Sequence, residues 1–296
     1  MLGFASNIKL KNIWLLLYIT LSFDTFNTLS CDNIKTLSFN KFNTLYKDKY
    51  NTTLDPNWLG WLVGFAEGDG YLGINEGRPV FVLTQKESKI LYEIMDTLKF
   101  GYVKEFDGFF RYIVREQSCV FLLFHLFNGN LHLISRIEQL SEWAKQWNSK
   151  VNNKENQLEA IKTPVKLSLN NSWFSGFVDA EGCFNVYVTK NSKSVVLRFI
   201  VDQKEGLLFF NDLKTLIGYG SIFNRKNNNF RYVVTNLNSL SIIVSYFNQF
   251  RLRTKKRLAF DKWMVIYNSV LNKEHKSSEG IEKIKLLSKL VNKDND

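Results

Sequence analysis

Apolar residues recur with helical spacing in two separate stretches of the chain. The first contains Trp58, Leu59, Trp61, Leu62 and Phe65, and the second contains Trp173, Phe174, Phe177 and Val178. Positions i, i+3, i+4 and i+7 share one face of a helix, so each stretch predicts a helix with a buried face. Each stretch ends in an acid-x-acid-Gly sequence, which predicts that the helix stops there.

Polar and apolar residues alternate after the second predicted helix. Phe184, Val186 and Val188 alternate with Asn185, Tyr187 and Thr189, as in a strand that buries one face and exposes the other. The chain also repeats itself: LVGFAEGDG (62–70) returns as FSGFVDAEG (174–182), VLTQK (82–86) as IVDQK (200–204), and FRYIV (110–114) as FRYVV (230–234). Ordered matches at a nearly constant offset indicate one duplicated fold.

The repetition divides the chain into five parts. We predict a leader of uncertain structure at 1–50, a first repeat at 51–148, a linker at 149–170, a second repeat at 171–270, and a C-terminal helix or tail at 271–296. The linker segment is rich in Asn and Lys and contains Pro164, which is typical of a connection. The amphipathic stretches 134–148 and 255–268 predict a helix that closes each repeat.

Small residues form a stripe along each motif helix. Gly60, Gly64 and Gly68 stand at i, i+4 and i+8, and the second copy has Ser172, Gly176 and Ala180 at the same places. A glycine inside a helix costs about 0.5–1 kcal/mol relative to alanine, so a compensating contact is expected. We predict that the two stripes pack against each other, with the helix axes closer than the usual ~8–10 Å.

Four acids lie at the predicted helix ends, namely Glu67, Asp69, Asp179 and Glu181. Carboxylates at a helix C-terminus face the negative end of the helix dipole, so four that converge need cations. Oxygen ligands of this kind suit Mg²⁺. For a single motif, solvated acids before a glycine cap would be an equally good interpretation. The repetition on two packed helices favours a metal site.

The paired motifs resemble the LAGLIDADG homing endonucleases, specifically the single-chain, two-repeat class encoded by mitochondrial group I introns. The resemblance covers about residues 57–268. It implies an α+β fold of two pseudo-twofold-related αββαββα repeats, with the motif helices at the interface and antiparallel sheets forming a saddle over double-stranded DNA. It also implies site-specific hydrolysis of DNA phosphodiester bonds, with Mg²⁺ or Mn²⁺, giving a staggered cut in a long target.

The resemblance also implies roles for particular residues. Asp69 and Glu181 are the expected metal ligands and catalytic acids, and Gly68 and Ala180 are the other expected residues of the metal site. Gln85, Gln203 and Lys255 complete the expected catalytic set, and Lys256 is the neighbouring candidate for the lysine. The interface set comprises Gly60, Gly64, Glu67, Ser172, Gly176 and Asp179.

The first repeat departs from this pattern at one position. Counting from the matched Trp143 and Trp263, Ser135 stands where the second repeat has Lys255. Loss of one basic group predicts two unequal strand-cleaving sites, or the loss of cleavage.

Charge agrees with a nucleic acid as partner. Lys and Arg outnumber Asp and Glu by 39 to 28, the net charge is +11 and the pI is about 9.4. A basic membrane-surface protein would fit these totals, but the alternating strands favour nucleic acid. Candidate DNA contacts are Lys104, Arg111, Asn185, Tyr187, Arg198, Asn224, Arg225, Lys226 and Arg231, although a solvated surface role stays open for each.

Other features narrow the alternatives. Three cysteines and three histidines lack zinc-ligand or disulfide spacing. The apolar segment Ile13–Phe23 has eleven residues, too few to cross a bilayer core that needs about 20. It fits a signal-like hydrophobic region, a presequence remnant or translated leader from an upstream frame, and we favour the translated leader. A composition with only 3 Pro and 25 Phe suggests an A+T-rich genome, as in fungal mitochondria, and hence a mitochondrial location.

Two further functions stay open. An RNA maturase would bind its host group I intron RNA and assist splicing without cutting, and the Ser135 position favours it. A DNA-binding regulator that has lost catalysis is the third interpretation. The intact pair Asp69 and Glu181 favours cleavage. We therefore predict an endonuclease that acts on DNA as a monomer with internal pseudo-twofold symmetry and no membrane partner.

Overall fold

The same order of helices and strands occurs twice along the chain. The computed structural model describes residues 36–189 and 194–293. A helix α1 (Asn40–Tyr50) precedes the first repeat. This repeat consists of α2 (Pro56–Asp69), β1 (Gly70–Asn75), β2 (Arg78–Gln85), α3 (Lys89–Leu98), β3 (Tyr102–Phe106), β4 (Phe109–Val114), α4 (Gln117–Phe127) and α5 (Ile134–Asn148).

The second repeat has the same elements in the same order. They are α6 (Trp173–Glu181), β5 (Gly182–Val188), β6 (Val195–Lys204), α7 (Leu207–Ile217), β7 (Ser221–Arg225), β8 (Asn229–Val234), α8 (Leu237–Gln249) and α9 (Lys256–Leu271). A last helix, α10 (Ser278–Leu290), follows it. The predicted α+β duplication is confirmed.

Each repeat contains one helix more than the predicted αββαββα order, since α4 and α5, or α8 and α9, both follow the last strand. The sequence of α4, QSCVFLLFHLF, is almost continuously apolar. A helix that is apolar on all sides shows no amphipathic period, so pattern alone does not reveal it. Its residues lie in the core, where Leu123, Leu126 and Phe127 are fully buried.

Both sheets are antiparallel and have the same strand order, β1-β2-β4-β3 and β5-β6-β8-β7. One face of each sheet packs under the helices, as the buried side chains of Leu72, Phe81 and Tyr112 show for the first sheet. Side chains alternate between faces along a strand, so Tyr71, Val82 and every second residue along their strands lie on the other face. We call this surface the free face of each sheet.

Helix α1 belongs to the core of the first repeat. Phe42 and Tyr46 are completely buried, and the Tyr46 hydroxyl donates to the carbonyl oxygens of Thr97 at 3.2 Å and Leu98 at 3.3 Å. The C-terminal part of the predicted leader is therefore structural. Residues 1–35, which include Ile13–Phe23, lie outside the described residues. In the described part of the chain, no helix combines the length and apolarity needed to cross a membrane.

Candidate active site between the repeats

The motif helices α2 and α6 pack directly on each other. A methyl group on Gly64 would lie 1.9 Å from the carbonyl oxygen of Trp173, and one on Gly176 would lie 1.8 Å from the carbonyl oxygen of Trp61. No side chain fits at such a distance, so only glycine allows this approach. Farther along the same stripe, Gly60 faces the Ser172 hydroxyl and Gly68 faces the Ala180 methyl. The structure thus brings together all six residues of the two stripes.

Glu67 and Asp179 are buried at this interface and accept hydrogen bonds across it. The indole nitrogen of Trp173 donates to Oε2 of Glu67 at 2.7 Å, and that of Trp61 donates to Oδ2 of Asp179 at 2.8 Å. The two bonds are related by the pseudo-twofold symmetry. Each indole N–H, which needs a partner when buried, therefore joins the two repeats.

The same two carboxylates also hold the chain just before each closing helix. Glu67 accepts hydrogen bonds from the backbone amides of His132 at 2.9 Å and Leu133 at 2.7 Å, before α5. Asp179 accepts from the amides of Arg253 at 2.7 Å and Thr254 at 3.1 Å, before α9. Burial raises the pKa of Asp179, and these hydrogen bonds oppose part of that rise. Both carboxylates are thus buried and accept their hydrogen bonds from groups within the protein.

Asp69 and Glu181 are the last residues of the two motif helices, and they lie beside each other at the C-terminal ends of these helices. Burial raises the pKa of Asp69, although the Gln85 amide donates to its Oδ2 at 2.5 Å. Burial and the nearby Asp69 carboxylate raise the pKa of Glu181 to about 7. Two desolvated carboxylates this close favour a bound cation, because a positive charge stabilises the ionised form of both.

Two basic side chains approach this acidic pair, one from each repeat. The Lys256 ammonium donates to the carbonyl oxygens of Val178 at 3.2 Å and Ala180 at 2.5 Å. The Arg136 guanidinium donates to the carbonyl oxygens of Glu67 and Gly68, both at 2.9 Å. Both positive charges oppose the rise in the pKa of Asp69 and Glu181 that burial causes. Burial in turn lowers the pKa of Lys256 and of Arg136.

Of the two lysine candidates, the structure places Lys256 and not Lys255 beside the acidic pair. Lys255 turns outward and forms an ion pair with Glu87. Lys256 lies beside Asp69 and Glu181, and we call these two acids the acidic centre. Successive residues at the start of a helix point about 100° apart, so only one of the two can face the acids. Arg136 stands at the same distance from Trp143 as Lys256 from Trp263. This equal spacing is a signal in the sequence for Arg136 as the basic residue of the first repeat.

The two predicted glutamines differ in their surroundings. The Gln85 amide contacts Asp69, but the Gln203 amide donates to the carbonyl oxygen of Lys204 at 3.3 Å, and its own side-chain oxygen is buried without a partner among the described residues. The carbonyl oxygens of Gly68 and Ala180 accept hydrogen bonds from Arg136 and Lys256, so one lone pair of each is already used.

Most of the predicted DNA contacts lie on the free faces. The Arg111 guanidinium stacks on Phe106 at 5.0 Å and Phe109 at 5.1 Å. Arg231 is bound by both oxygens of Asp202 at 2.7 Å. The other free-face candidates are Lys104, Asn185, Tyr187, Arg198 and Arg225, and Lys226 stands in the turn after β7.

Asn224 is an exception among these candidates. It pairs with Phe230, which lies on the core side of β8, so its side chain is directed to the helix-covered side at the edge of the sheet.

Fold and site together define a pseudo-twofold α+β protein with one acidic centre shared by two repeats. A sequence profile described as LAGLIDADG endonuclease matches residues 174–267, within the second repeat. By this match the second repeat belongs to the LAGLIDADG family, and the first repeat has the same order of helices and strands.

Two fungal relatives show where similar sequences occur. The chain is 37% identical over 243 residues to "Probable intron-encoded endonuclease 4" of Neurospora crassa, a match that covers 79% of this chain and 44% of that protein. It is 26% identical to "Intron-encoded RNA maturase bI4" of Saccharomyces cerevisiae over 70% of this chain and 32% of that protein. The chain thus spans less than half the length of either relative.

Among solved structures, the LAGLIDADG meganuclease I-AabMI bound to uncleaved DNA is similar to this fold. The TM-score is 0.67 at 23% sequence identity, and the match covers 81% of this chain and all of that one. At this identity the likeness shows the fold.

Proposed function

We propose that the protein is a site-specific endonuclease that cuts both strands of a long double-stranded DNA target. One observation carries the proposal: the two repeats bring Asp69 and Glu181, with Lys256 and Arg136, to a single point beside two free sheet faces. An acidic pair among cations suits a phosphodiester that must be bound through metal and then hydrolysed. The net charge of +11 favours DNA as the partner.

Divalent metal fits the acidic pair. LAGLIDADG nucleases depend on metal ions, and here Asp69 and Glu181 would hold Mg²⁺ or Mn²⁺. Carboxylate oxygens are the ligands these hard cations prefer, and burial, which raises the pKa of both acids, favours a bound cation that would stabilise their ionised forms. A divalent ion held by Asp69 and Glu181 would supply activation of water near neutral pH and neutralisation of charge at the leaving oxygen.

The surrounding side chains would position these groups. The Gln85 amide fixes one oxygen of Asp69 and so orients the carboxylate. Lys256 and Arg136 hold the last carbonyl groups of the motif helices, and their charges would stabilise the negative charge that develops on the phosphate. We assign the basic role to Lys256 and Arg136, one for each strand, in place of Lys255. Gln203 would need a new side-chain rotamer to act as Gln85 does.

The relatives suggest the biological setting. Both are intron-encoded proteins of fungi by name. We infer an intron-encoded protein that acts in the mitochondrion on the DNA of the joined exons, as a monomer with two repeats.

Assistance to splicing is the second candidate function, because one relative is named an RNA maturase. In that case the partner would be the host group I intron RNA. The Ser135 position no longer supports this alternative over cleavage, since Arg136 supplies the basic group of the first repeat. The RNA maturase thus ranks second.

The decisive experiment incubates the full chain with DNA spanning the joined exons around its own intron, in the presence of Mg²⁺. Variants Asp69→Asn and Glu181→Gln test the acidic pair, and Glu138→Gln, an exposed acid on α5, is the matched control. Staggered cleavage by the wild type and the control alone would establish the endonuclease. Tight binding without any cleavage would reject it, and faster splicing of the intron RNA would then support the maturase.

A further inference from the structure

Helix α1 covers one edge of the first repeat, where α3 ends and α4 begins. The Tyr50 ring stacks on Phe100, just past the end of α3, with 6.3 Å between the ring centroids. The Lys49 ammonium donates to the Ser118 hydroxyl at 2.7 Å, in the first turn of α4. Among the described residues, no helix takes the same place on the second repeat.

Phe100 and Tyr219 occupy equivalent positions at the ends of α3 and α7. The carbonyl oxygen of each accepts a hydrogen bond from a buried tyrosine of its own sheet, Tyr112 or Tyr232. Phe100 is only 7% exposed because α1 covers it, whereas Tyr219 is 45% exposed. In the described part of the chain, the place that α1 takes on the first repeat is thus open on the second.

The open place is apolar. Leu122 of α4 and Ile242 of α8 stand at the same distance from the ends of β4 and β8, and they are 3% and 39% exposed. Leu216, in the last turn of α7, is also exposed and stands where α3 has Thr97. We call Leu216, Tyr219 and Ile242 the open surface. An exposed position that is more apolar than its covered counterpart indicates contact with another molecule.

The helix beside this surface carries no charge. The sequence of α8 is LNSLSIIVSYFNQ, and its exposed residues are Leu, Ile, Ser, Asn and Gln, although the chain has a net charge of +11. Charged residues are depleted at the buried centre of protein interfaces. A nucleic acid would instead need Lys or Arg on α8 to neutralise its phosphates. These features favour a protein over RNA as the occupant.

A cavity of about 550 Å³ lies at the end of α8 and is lined by Gln249, Arg251 and Arg253. Arg253 forms an ion pair with a glutamate of the first repeat at 3.0 Å, whereas no carboxylate in the described part of the chain pairs with Arg251. At the equivalent place after α4, the backbone of Ser38, just before α1, exchanges two hydrogen bonds with the Asn130 side chain. A helix that docks in the direction of α1 would therefore place its first turn beside Arg251.

We propose that the open surface binds an amphipathic helix of another protein, in the place that α1 takes on the first repeat. The docking face of this helix is uncharged and carries large apolar residues at i and i+4, as α1 does with Phe42 and Tyr46. Its first turn carries an acidic residue, which pairs with Arg251 and lies at the positive end of its own helix dipole. A helix in an apolar groove is a recurrent mode of recognition.

The test measures binding of two fluorescent peptides to the full-length protein by fluorescence polarisation. One peptide copies residues 37–51, which include α1, and the other carries glutamate in place of Asn40 and Lys41 to supply the acidic turn. The acidic peptide should bind one-to-one. Ile242→Glu should weaken its binding by about tenfold or more, because a charge then stands in the docking face. Leu286→Glu, at an exposed leucine of α10, is the matched control and should not change binding.

The charge of the first turn is tested separately. The acidic peptide should bind about threefold or more tightly than the unchanged one, as expected for an exposed ion pair. Arg251→Gln should remove this preference. Lys289→Gln, which removes an exposed charge from α10, should preserve it. A preference that survives Arg251→Gln would overturn the assigned direction of the helix.

Other outcomes would overturn the inference as a whole. These are failure of both peptides to bind, or binding that Ile242→Glu leaves unchanged. Self-association in sedimentation that Ile242→Glu abolishes would assign the surface to a second copy, and binding of labelled intron RNA that Ile242→Glu abolishes would assign it to RNA. Urea unfolding followed by circular dichroism shows that each variant is folded. The inference stands apart from the proposed function, since the acidic centre and the free faces take no part and Ile242→Glu should cut DNA as the wild type does.

Discussion

Trp173 of the second repeat donates its indole hydrogen to Glu67 of the first, with 2.7 Å between Nε1 and Oε2. Trp61 and Asp179 form the reciprocal bond at 2.8 Å. Both carboxylates also hold the backbone before a closing helix of their own repeat. The interface and the closing helices, which carry Arg136 and Lys256, are therefore parts of one hydrogen-bonded unit.

Trp173→Phe should lower the free energy of unfolding by about 1.5–3 kcal/mol, because it removes a buried hydrogen bond to a carboxylate. Urea unfolding followed by circular dichroism measures the loss. Trp61→Phe should cost a similar amount by symmetry. Trp147→Phe is the matched control, since its indole bonds the Asn156 carbonyl near the surface and its loss should cost less. Equal stability of Trp173→Phe and wild type would contradict the prediction.

Gly64→Ala should destabilise the protein by at least about 2 kcal/mol. The added methyl group would overlap the backbone of Trp173, so the two motif helices must separate. Gly60→Ala is the matched control on the same stripe, because its methyl group meets the Ser172 hydroxyl, which can rotate away. Thermal unfolding of both variants tests the order. A Gly64→Ala protein as stable as Gly60→Ala would show that the helices do not pack this closely.

The duplicated pattern explains why so much of the fold could be predicted. Repetition revealed the interface, and strand alternation revealed the free faces. Helix α4 was not predicted because it lacks an amphipathic period. Helix α1 was not predicted because it belongs to neither copy, although its Phe42 and Tyr46 are fully buried.

The acidic pair could be predicted from the motif, but the cations beside it could not be assigned by pattern. The choice between Lys255 and Lys256 depends on the exact residue at which α9 begins, and sequence locates helix ends poorly. Likewise, only the three-dimensional structure shows that the Asp202 carboxylate binds Arg231, while no carboxylate in the described part of the chain pairs with Arg198.

The stability of the metal-free protein should fall as pH rises from about 4.5 to 7. The pKa of Glu181 is raised to about 7 in the folded state from an ordinary value of 4.5. The folded state therefore binds the proton more tightly, and this contribution to stability is lost as pH rises through the folded pKa. The raised pKa of Asp69 acts in the same direction. Urea unfolding in EDTA across this range measures the slope.

Glu181→Gln should flatten that slope, and Glu138→Gln, with an exposed acid, should leave it unchanged. Added Mg²⁺ should restore stability above pH 7 in the wild type, because a cation that binds only the folded protein stabilises it. A wild-type slope that survives Glu181→Gln unchanged would show that other groups control it.

Lys256→Met should reduce DNA cleavage by about 100-fold or more, whereas Lys255→Met should change it by only a few-fold. Lys256 lies at the acidic centre, where its positive charge would stabilise the negative charge that develops on the phosphate and so raise the cleavage rate. Lys255 instead pairs with Glu87, away from the acidic centre. Single-turnover cleavage of a target labelled on each strand measures the two rates separately. Arg136→Met should likewise slow cleavage, but chiefly on the strand opposite to that affected by Lys256→Met, because each cation holds the motif end of its own repeat. If Lys255→Met is instead the inactive variant, Lys255 is the catalytic lysine and Lys256 only stabilises the end of its motif helix.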